Sequence, residues 1–455
     1  MSPLKAISPI DGRYHKTTLP LSRYFSEVAL IKYRIIVEGE YLIALSEEKK
    51  TRLRKFSKAE KSIIRGLYSI EIKDAEEVKS FEATTNHDVK AIEYFIKERL
   101  KNTSLVDVLE WIHFALTSED VNNLSYALML SESLRSEIIP YLNFVLVSID
   151  HFAQSTKNIP MLARTHGQSA SPTTLGKEFK VFSSRLKRQI NQLKKYRILV
   201  KLNGAAGNYN AHLTAYPKID WPKFTQNFIM TLNTERKIRL EANLVTTQIE
   251  PHDTYAELFD IMRRINTILI DFDQDVWRYI SDGWFSQKPK EVEIGSSTMP
   301  HKINPIDFEN SEGNLGMANA LFTYFSSKLP ISRLQRDLSD STVERNFGIA
   351  LAHSLIAYQA IQKGLSKISP NRTKILEDLE NHYEVIAEGI QTILRRENVA
   401  MPYEALKNLT RGKKVTRKDF QKFIDKLKVS EKIKKELRKI SPRTYIGLAK
   451  KLSLF

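Results

Sequence analysis

At 455 residues with a 42% hydrophobic composition, the chain can bury a large core, and its length calls for about two to four domains or one elongated helical body. It has no cysteine, which excludes disulfides, thiolate metal sites and cysteine nucleophiles. No run of about eighteen apolar residues offers a membrane span, and the opening MSPLKAISPIDGRYHK lacks the apolar core of a secretory signal, so a soluble, cytoplasmic protein is expected. The formal charge of +17 is uneven: Lys407 to Phe455 holds 17 Lys or Arg against 4 Asp or Glu, a net +13.

In chain order, residues 1–108 mix short helical segments with polar loops. Arg13 and Tyr14 lie in the first of these loops. Thr84-Thr85-Asn86-His87-Asp88 precedes the apolar run Val89, Ile92, Phe95, Ile96, which predicts a capped helix start. Its free N–H groups, with His87, can hold an anion. Thr117-Ser118 opens a second helix and serves as a cap or a carboxylate binder.

Residues 109–365 carry the long helices. Leu124, Leu128, Leu134, Ile138, Tyr141 and Val145 mark one, and Leu175, Phe179, Phe182, Leu186, Ile190 and Leu193 another. Between them, Arg164-Thr165-His166-Gly167-Gln168 reads as a polar helix entrance that exposes His166. Gln248 follows in Thr246-Thr247-Gln248-Ile249-Glu250-Pro251. The clearest stripe is Leu258, Met262, Ile265, Leu269, Phe272, Val276, Ile280, with steps of 4, 3, 4, 3, 4 and 4. Leu315, Ala318, Phe322, Phe325 and Leu329 mark a fourth helix, and Arg336, Ser341, Thr342 and Arg345 come after it. Stripes of this kind predict helices of about 35–45 Å bundled side by side.

Residues 366–455 begin near Ser369-Pro370 and read as short Lys-rich helices. A basic block of this kind suits nucleic acid. Here Phe420, Ile424, Leu427, then Ile433, Leu437, Ile440 recur at helical spacing, so amphipathic helices with solvated Lys faces are the simpler reading and a nucleic-acid partner is not expected.

The most informative stretch joins two strong helices without apolar periodicity: Gly295-Ser296-Ser297-Thr298-Met299-Pro300-His301-Lys302-Ile303-Asn304-Pro305. Such a loop can close over a ligand and deliver hydroxyls, a cation and backbone N–H groups together. Gly-Ser-Ser-x-Met-Pro-x-Lys-x-Asn-Pro resembles the signature of the fumarase/aspartase superfamily, and the other blocks fit along nearly the whole chain. Within that superfamily the chain is most similar to the bacterial adenylosuccinate lyase family, whose members open with Ser-Pro-Ile-Asp-Gly-Arg-Tyr, here Ser8 to Tyr14. The family more often has Pro where this chain has Ser169.

That resemblance implies an all-α, three-domain fold, with a central long-helix bundle (109–365) between an N-terminal (1–108) and a C-terminal (366–455) helical domain. It implies homotetramers with active sites shared between subunits, no metal and no cofactor. Fumarate would be expelled from the succinylated purine nucleotide adenylosuccinate, or from the succinylated carboxamide ribotide.

Such an elimination takes a proton from the carbon beside a carboxylate and then breaks a C–N bond, so it needs one base and one acid. By alignment with the family, Ser296 is the base and His166 the acid. A serine serves only if loop N–H groups and a cation such as Lys302 favour its alkoxide. Lys302 and Asn304 would hold the carboxylates of fumarate. Arg13, Tyr14, Asn86, His87, Asp88, Thr117, Ser118, Gln248, Arg336, Ser341, Thr342 and Arg345 would hold phosphate, ribose and base.

Argininosuccinate lyase and aspartase share the serine loop and the histidine. The phosphate-seeking set of Arg13, Tyr14, His87, Arg336, Ser341 and Arg345 separates this chain from them. A catalytically dead basic scaffold would predict a damaged loop, whereas Ser296, His166, Lys302 and Asn304 are all present.

Overall fold

The computed structural model describes residues 2–233, 238–288, 299, 301–412 and 414–455. The fold is helical, with six short strands paired into three two-stranded sheets among the described residues. No described helix is long and apolar enough to cross a membrane. The chain divides into two compact units: Met1–Leu142, Gln189–Thr267 and Gly313–Tyr358 form one, and Asn143–Arg188, Ile268–Glu312 and Gln359–Phe455 the other. Long helices contribute a segment to each.

The first unit opens with α1 (Glu27–Glu47), capped by Ser26, whose hydroxyl accepts the Ala29 N–H. Next come α2 (Ile72–Thr85), α3 (Asp88–Leu100) and α4 (Ser118–Ser133). Arg34 of α1 donates to Asn122 of α4 at 2.9 Å, and Tyr33 donates to Glu132 at 2.6 Å. The stripe through Leu124 and Val145 is not one regular helix. A wide turn over Leu134–Ile138 separates α4 from α5 (Ile139–Thr156), where the apolar step from Leu128 to Leu134 is six residues. Pro140 removes an N–H directly after that turn, a usual setting for such a bulge.

β1 (Pro160–Thr165) and β2 (Gln168–Thr174) form an antiparallel hairpin ahead of α6 (Leu175–Lys194), and β3 (Arg197–Val200) pairs in parallel with β4 (Arg239–Ala242). α7 (Asp253–Ser281) buries Leu258, Met262, Ile265, Leu269, Phe272 and Val276 almost completely, each such side chain adding about 1.5–3 kcal/mol, and leaves Ile280 half-buried. β5 (Phe285–Gln287) precedes α8 (Ile306–Lys328), α9 (Ser339–Glu344) and α10 (Phe347–Lys367), and β6 (Ile368–Pro370) returns to pair with β5.

In the first unit Phe259 of α7 stacks on Phe322 of α8 at 5.5 Å, and Asn266 of α7 bonds Ser354 and Tyr358 of α10 at 3.0 and 2.7 Å. In the second, Phe152 of α5 stacks on Phe179 of α6 at 4.3 Å, and Phe179 meets Phe272 of α7 edge-on at 5.5 Å. Both units thus pack their helix segments side by side.

The C-terminal residues form short helices, among them α11 (Arg417–Asp425) and α12 (Glu431–Arg438). Phe420, Ile424, Ile433 and Leu437 are buried and Leu427 and Ile440 half-buried, so the apolar spacing of this block faces inward and its lysines stand outward.

Candidate active site

The first unit holds most of the expected anchoring residues. Asn86 ends α2 in the left-handed region (φ 52°), which turns the chain sharply into α3. His87 is itself the cap of α3: its Nδ1 accepts the Lys90 N–H at 3.1 Å. A neutral His87 therefore carries its proton on Nε2, which lies 3.4 Å from the hydroxyl of Ser118. Asp88 bonds Arg34 at 2.6 Å and Arg345 at 3.3 Å. Burial would raise its pKa, but the Arg34 guanidinium and its hydrogen bond, a backbone N–H and Arg345 hold the carboxyl below its ordinary value. Arg345 also pairs with Glu27 at 3.0 Å.

Thr117 caps α4 in a reciprocal box with Asp120, whose carboxylate accepts the Thr117 N–H at 2.9 Å. The same buried carboxylate accepts the N–H groups of Asn203 and Gly204 at 3.0 and 3.2 Å and pairs with the fully buried Lys201 at 2.9 Å. Lys201 donates further to the carbonyls of Gly204 and Gln248 at 2.9 and 2.8 Å. One ion pair thus ties the start of α4 to the loop bearing Gln248. Gln248 donates to the Ala205 carbonyl at 3.0 Å, and its side-chain oxygen accepts from Arg336 at 3.5 Å. Arg336 pairs with buried Glu119 at 3.2 Å. The set therefore gathers as His87 with Ser118, Asp88 with Arg345, and Gln248 with Arg336.

Ser341 and Thr342 lie in α9, where the Ser341 N–H donates to Asp340 at 2.6 Å. Arg13 lies against the ring of Tyr14 at 5.9 Å and, among the described residues, has no hydrogen bond to the others.

The second unit holds His166, and here the expectation needs correction. His166 does not stand at a helix entrance but at the tip of the β1–β2 hairpin. Thr165 pairs with Gln168, leaving His166 (φ 53°) and Gly167 (φ 73°) as a two-residue turn. Two left-handed residues in succession match the twist of the flanking strands, and glycine in the second position removes half of the strain. The β-branched Thr173 and Thr174 favour a strand, and Pro172 pushes Ser171 before it towards an extended conformation. The His166 ring is exposed and has no hydrogen bond among the described residues. Below it, Arg164 reaches Asp378 at 3.0 Å and lies over Trp284 at 5.3 Å, fixing the hairpin stem.

Lys302 is exposed, and its N–H donates to the Met299 carbonyl at 3.0 Å. Asn304 is half-buried ahead of α8, and the neighbouring Ile303 carbonyl accepts from Gln287 at 2.9 Å. Ser296 and Ser297 lie outside the described residues.

The chain also buries a group of acids that the motifs did not single out. Glu119, Glu250, Asp340 and Glu344 are each less than 5% exposed, together with His252 at 0%. A sequence signal was present: each acid adjoins or closely follows an anchoring residue, as in Ser118-Glu119, Asp340-Ser341 and Glu344-Arg345. Glu119, His252 and Asp340 each bring one donor atom within 4.8 Å of the others. The Arg336 guanidinium already sits against Glu119, so this set has a positive partner within the chain.

The described fold is that of the helical lyases of the fumarase/aspartase superfamily. The chain matches the lyase family over residues 12–319 and the adenylosuccinate lyase C-terminal family over 332–446. It is 51% identical to the adenylosuccinate lyase of Haemophilus influenzae, across 99% of this chain and 98% of that one. The adenylosuccinate lyases of Escherichia coli K12 and Dictyostelium discoideum are 49% and 50% identical, with 99% and 98% of this chain covered and 98% and 97% of theirs. The chain belongs to the adenylosuccinate lyase family.

More distant structures share the fold. A 3-carboxy-cis,cis-muconate lactonizing enzyme from Pseudomonas putida aligns with a TM-score of 0.71 at 17% identity, over 96% of this chain and 95% of that one. A fumarate lyase from Mesorhizobium sp. BNC1 aligns at 0.73 and 15%, over 95% and 96%.

Proposed function

We propose that the protein cleaves adenylosuccinate to AMP and fumarate, and the succinylated carboxamide ribotide to the carboxamide ribotide and fumarate. The observation that carries this reading is identity of about half over essentially full length with relatives named for the first reaction. The first unit supports it chemically, since Arg336, Arg345, His87 and the hydroxyls of Thr117, Ser118, Ser341 and Thr342 suit a phosphate and its sugar.

In the reaction, Ser296 takes a proton from the succinyl carbon next to a carboxylate. Lys302 and Asn304 hold the carboxylates while negative charge builds on that carbon. The C–N bond then breaks, its electron pair moves to nitrogen, and His166 supplies the proton that nitrogen requires. An exposed imidazole with no hydrogen-bond partner among the described residues suits that task. The products are fumarate and the free amine.

The same reading includes a homotetramer with shared active sites and a cytoplasmic location. Phe144, Val147, Met317 and Tyr324 stand more than half exposed on long helices, the kind of apolar surface that association covers. It also divides the chain into domains near residues 108 and 365, which limited proteolysis tests. Light scattering tests the assembly, with a mass near one 52.5 kDa chain excluding the tetramer.

The deciding experiment follows adenylosuccinate conversion by ultraviolet absorbance with EDTA present, comparing wild type with His166→Ala. Turnover by wild type and a loss of about 10²–10⁴-fold in the variant support substrate and acid together. A folded wild type that leaves adenylosuccinate untouched overturns the substrate assignment; argininosuccinate and aspartate would be tried next.

A further inference from the structure

Behind the anchoring residues of the first unit lies a buried ionic cluster with His252 at its centre. The imidazole is 0% exposed and stacks on the Tyr255 ring at 5.2 Å, nearly parallel. Its Nε2 lies 3.8 Å from an Asp340 oxygen and its Nδ1 4.0 Å from a Glu250 oxygen. Glu250 also accepts the His252 backbone N–H at 2.7 Å, which fixes the residue in its left-handed conformation (φ 63°). Glu119 Oε1, Asp340 Oδ2, Glu344 Oε1 and both ring nitrogens are buried without a hydrogen-bond partner among the described residues. Charge attraction therefore holds this group together, not a closed hydrogen-bond network.

The acids come from three segments, α4, the loop 248–252 and α9, and each sits beside or near a residue assigned to substrate. Glu119 follows Ser118 and pairs with Arg336; Asp340 precedes Ser341 and accepts its N–H; Glu344 precedes Arg345. From the loop 248–252, Glu250 lies two residues after Gln248. Around the cluster stand Tyr126 of α4 and Tyr255 of α7, with Arg336 and the Lys201–Asp120 pair supplying the other charges.

We propose that His252 is a positioning residue for nucleotide binding, whose ring gathers the acids behind Ser118, Arg336 and Ser341 and so sets where those groups meet the anionic end of the substrate. The proposal rests on the nucleotide-lyase reading above. Burial alone would neutralise the ring, but Asp340, Glu344, Glu119 and Glu250 raise its pKa to about 9, so it is an imidazolium at neutral pH. Burial raises Glu119 and Glu344 above the ordinary carboxylate range, partly opposed by the nearby His252 and Arg336. A neutral residue at 252 would leave these acids facing one another, loosening α9 and competing for Arg336.

The test is steady-state kinetics of full-length wild type, His252→Gln and Glu119→Gln on adenylosuccinate from pH 6.5 to 9.5, with Tm measured alongside. In both variants KM should rise about tenfold or more while kcat stays within about threefold. Wild-type KM should climb above about pH 8 as the cluster loses protons, and His252→Gln should flatten that climb. A merely structural role would lower Tm and the active fraction without changing KM or its pH profile. If His252→Gln fails to fold, Glu119→Gln decides, because it keeps the side-chain volume and removes the charge that holds Arg336. KM within about twofold of wild type in a folded variant overturns the proposal. Failure of the lyase reading would show as an inactive wild type, a result distinct from failure of the variants.

Discussion

Two parts of the molecule treat their polar side chains in opposite ways. Around Thr117, Gln248 and Arg336, the groups assigned to substrate are backed by buried charges: Asp120 with Lys201, Glu119 with Arg336, and the acids around His252. At the tip of the β1–β2 hairpin, His166 stands exposed and has no hydrogen bond among the described residues, while the stem below it is pinned by Arg164 and Ser171. Binding rewards groups already held in place, since ordering them during association costs affinity. Proton transfer rewards a group whose proton is not committed elsewhere. The contrast predicts that changes at the tip alter chemistry and leave stability intact, while changes in the buried charges alter stability and affinity together.

The largest effect should come from the tip. His166→Ala should lower kcat by about 10²–10⁴-fold with Tm within about 1 °C of wild type, because the ring covers no core. A large fall in Tm would show that the hairpin tip is structural and would erase the contrast.

Next comes the support of α4. Asp120→Ala removes one partner of a buried ion pair, the cap of Thr117 and the acceptor for two loop N–H groups. It should destabilise the protein by about 3–5 kcal/mol in denaturant unfolding, with Lys201 left as a buried unpaired cation. A cost below about 1 kcal/mol would mean that water replaces the carboxylate and that the region is not rigidly backed.

The buried imidazolium makes a smaller, pH-dependent contribution. Its folded-state pKa of about 9 lies above the ordinary 6.5, so the stabilisation is fully present below about pH 6.5 and is lost as pH rises through about 9. The difference corresponds to on the order of 3 kcal/mol. Glu119 and Glu344, also raised, work in the same direction. Tm should therefore fall between pH 7 and 9.5 in wild type and fall less in His252→Gln. Equal alkaline slopes would remove the charge from His252.

Legibility in the sequence follows the same division. The long helices could be read because their stripes repeat at helical spacing, and the residues at those steps are the buried ones, from Leu258 to Val276. Departures arose where local chemistry overrides periodicity. The wide turn goes with the N–H that Pro140 lacks and the His166–Gly167 turn with two left-handed residues, neither of which hydrophobic spacing encodes. The candidate anchoring residues are assigned by motif resemblance. The burial of the acids is not legible in the sequence, because a charged residue is ordinarily exposed, and only convergence in three dimensions places Glu119, Asp340 and Glu344 around His252. Ser296 was reached by resemblance alone.

The smallest effect should come from the C-terminal helices, where charge is neither buried nor free at a hairpin tip. Arg438 pairs with Asp425 at 2.6 Å and Arg443 pairs with Glu380, so part of the basic excess is already balanced on the surface. Lys426, Lys428, Lys432 and Lys439 are exposed and add to the field. Such a field raises the local concentration of an anionic nucleotide and is screened over about 10 Å at 0.1 M salt. Changing these four lysines to glutamine should lower kcat/KM by about two- to threefold at low salt and leave it unchanged near 0.5 M, with kcat constant throughout. If wild-type kcat/KM shows no dependence on salt, the block contributes nothing to substrate capture, and its lysines serve only as the solvated faces of amphipathic helices.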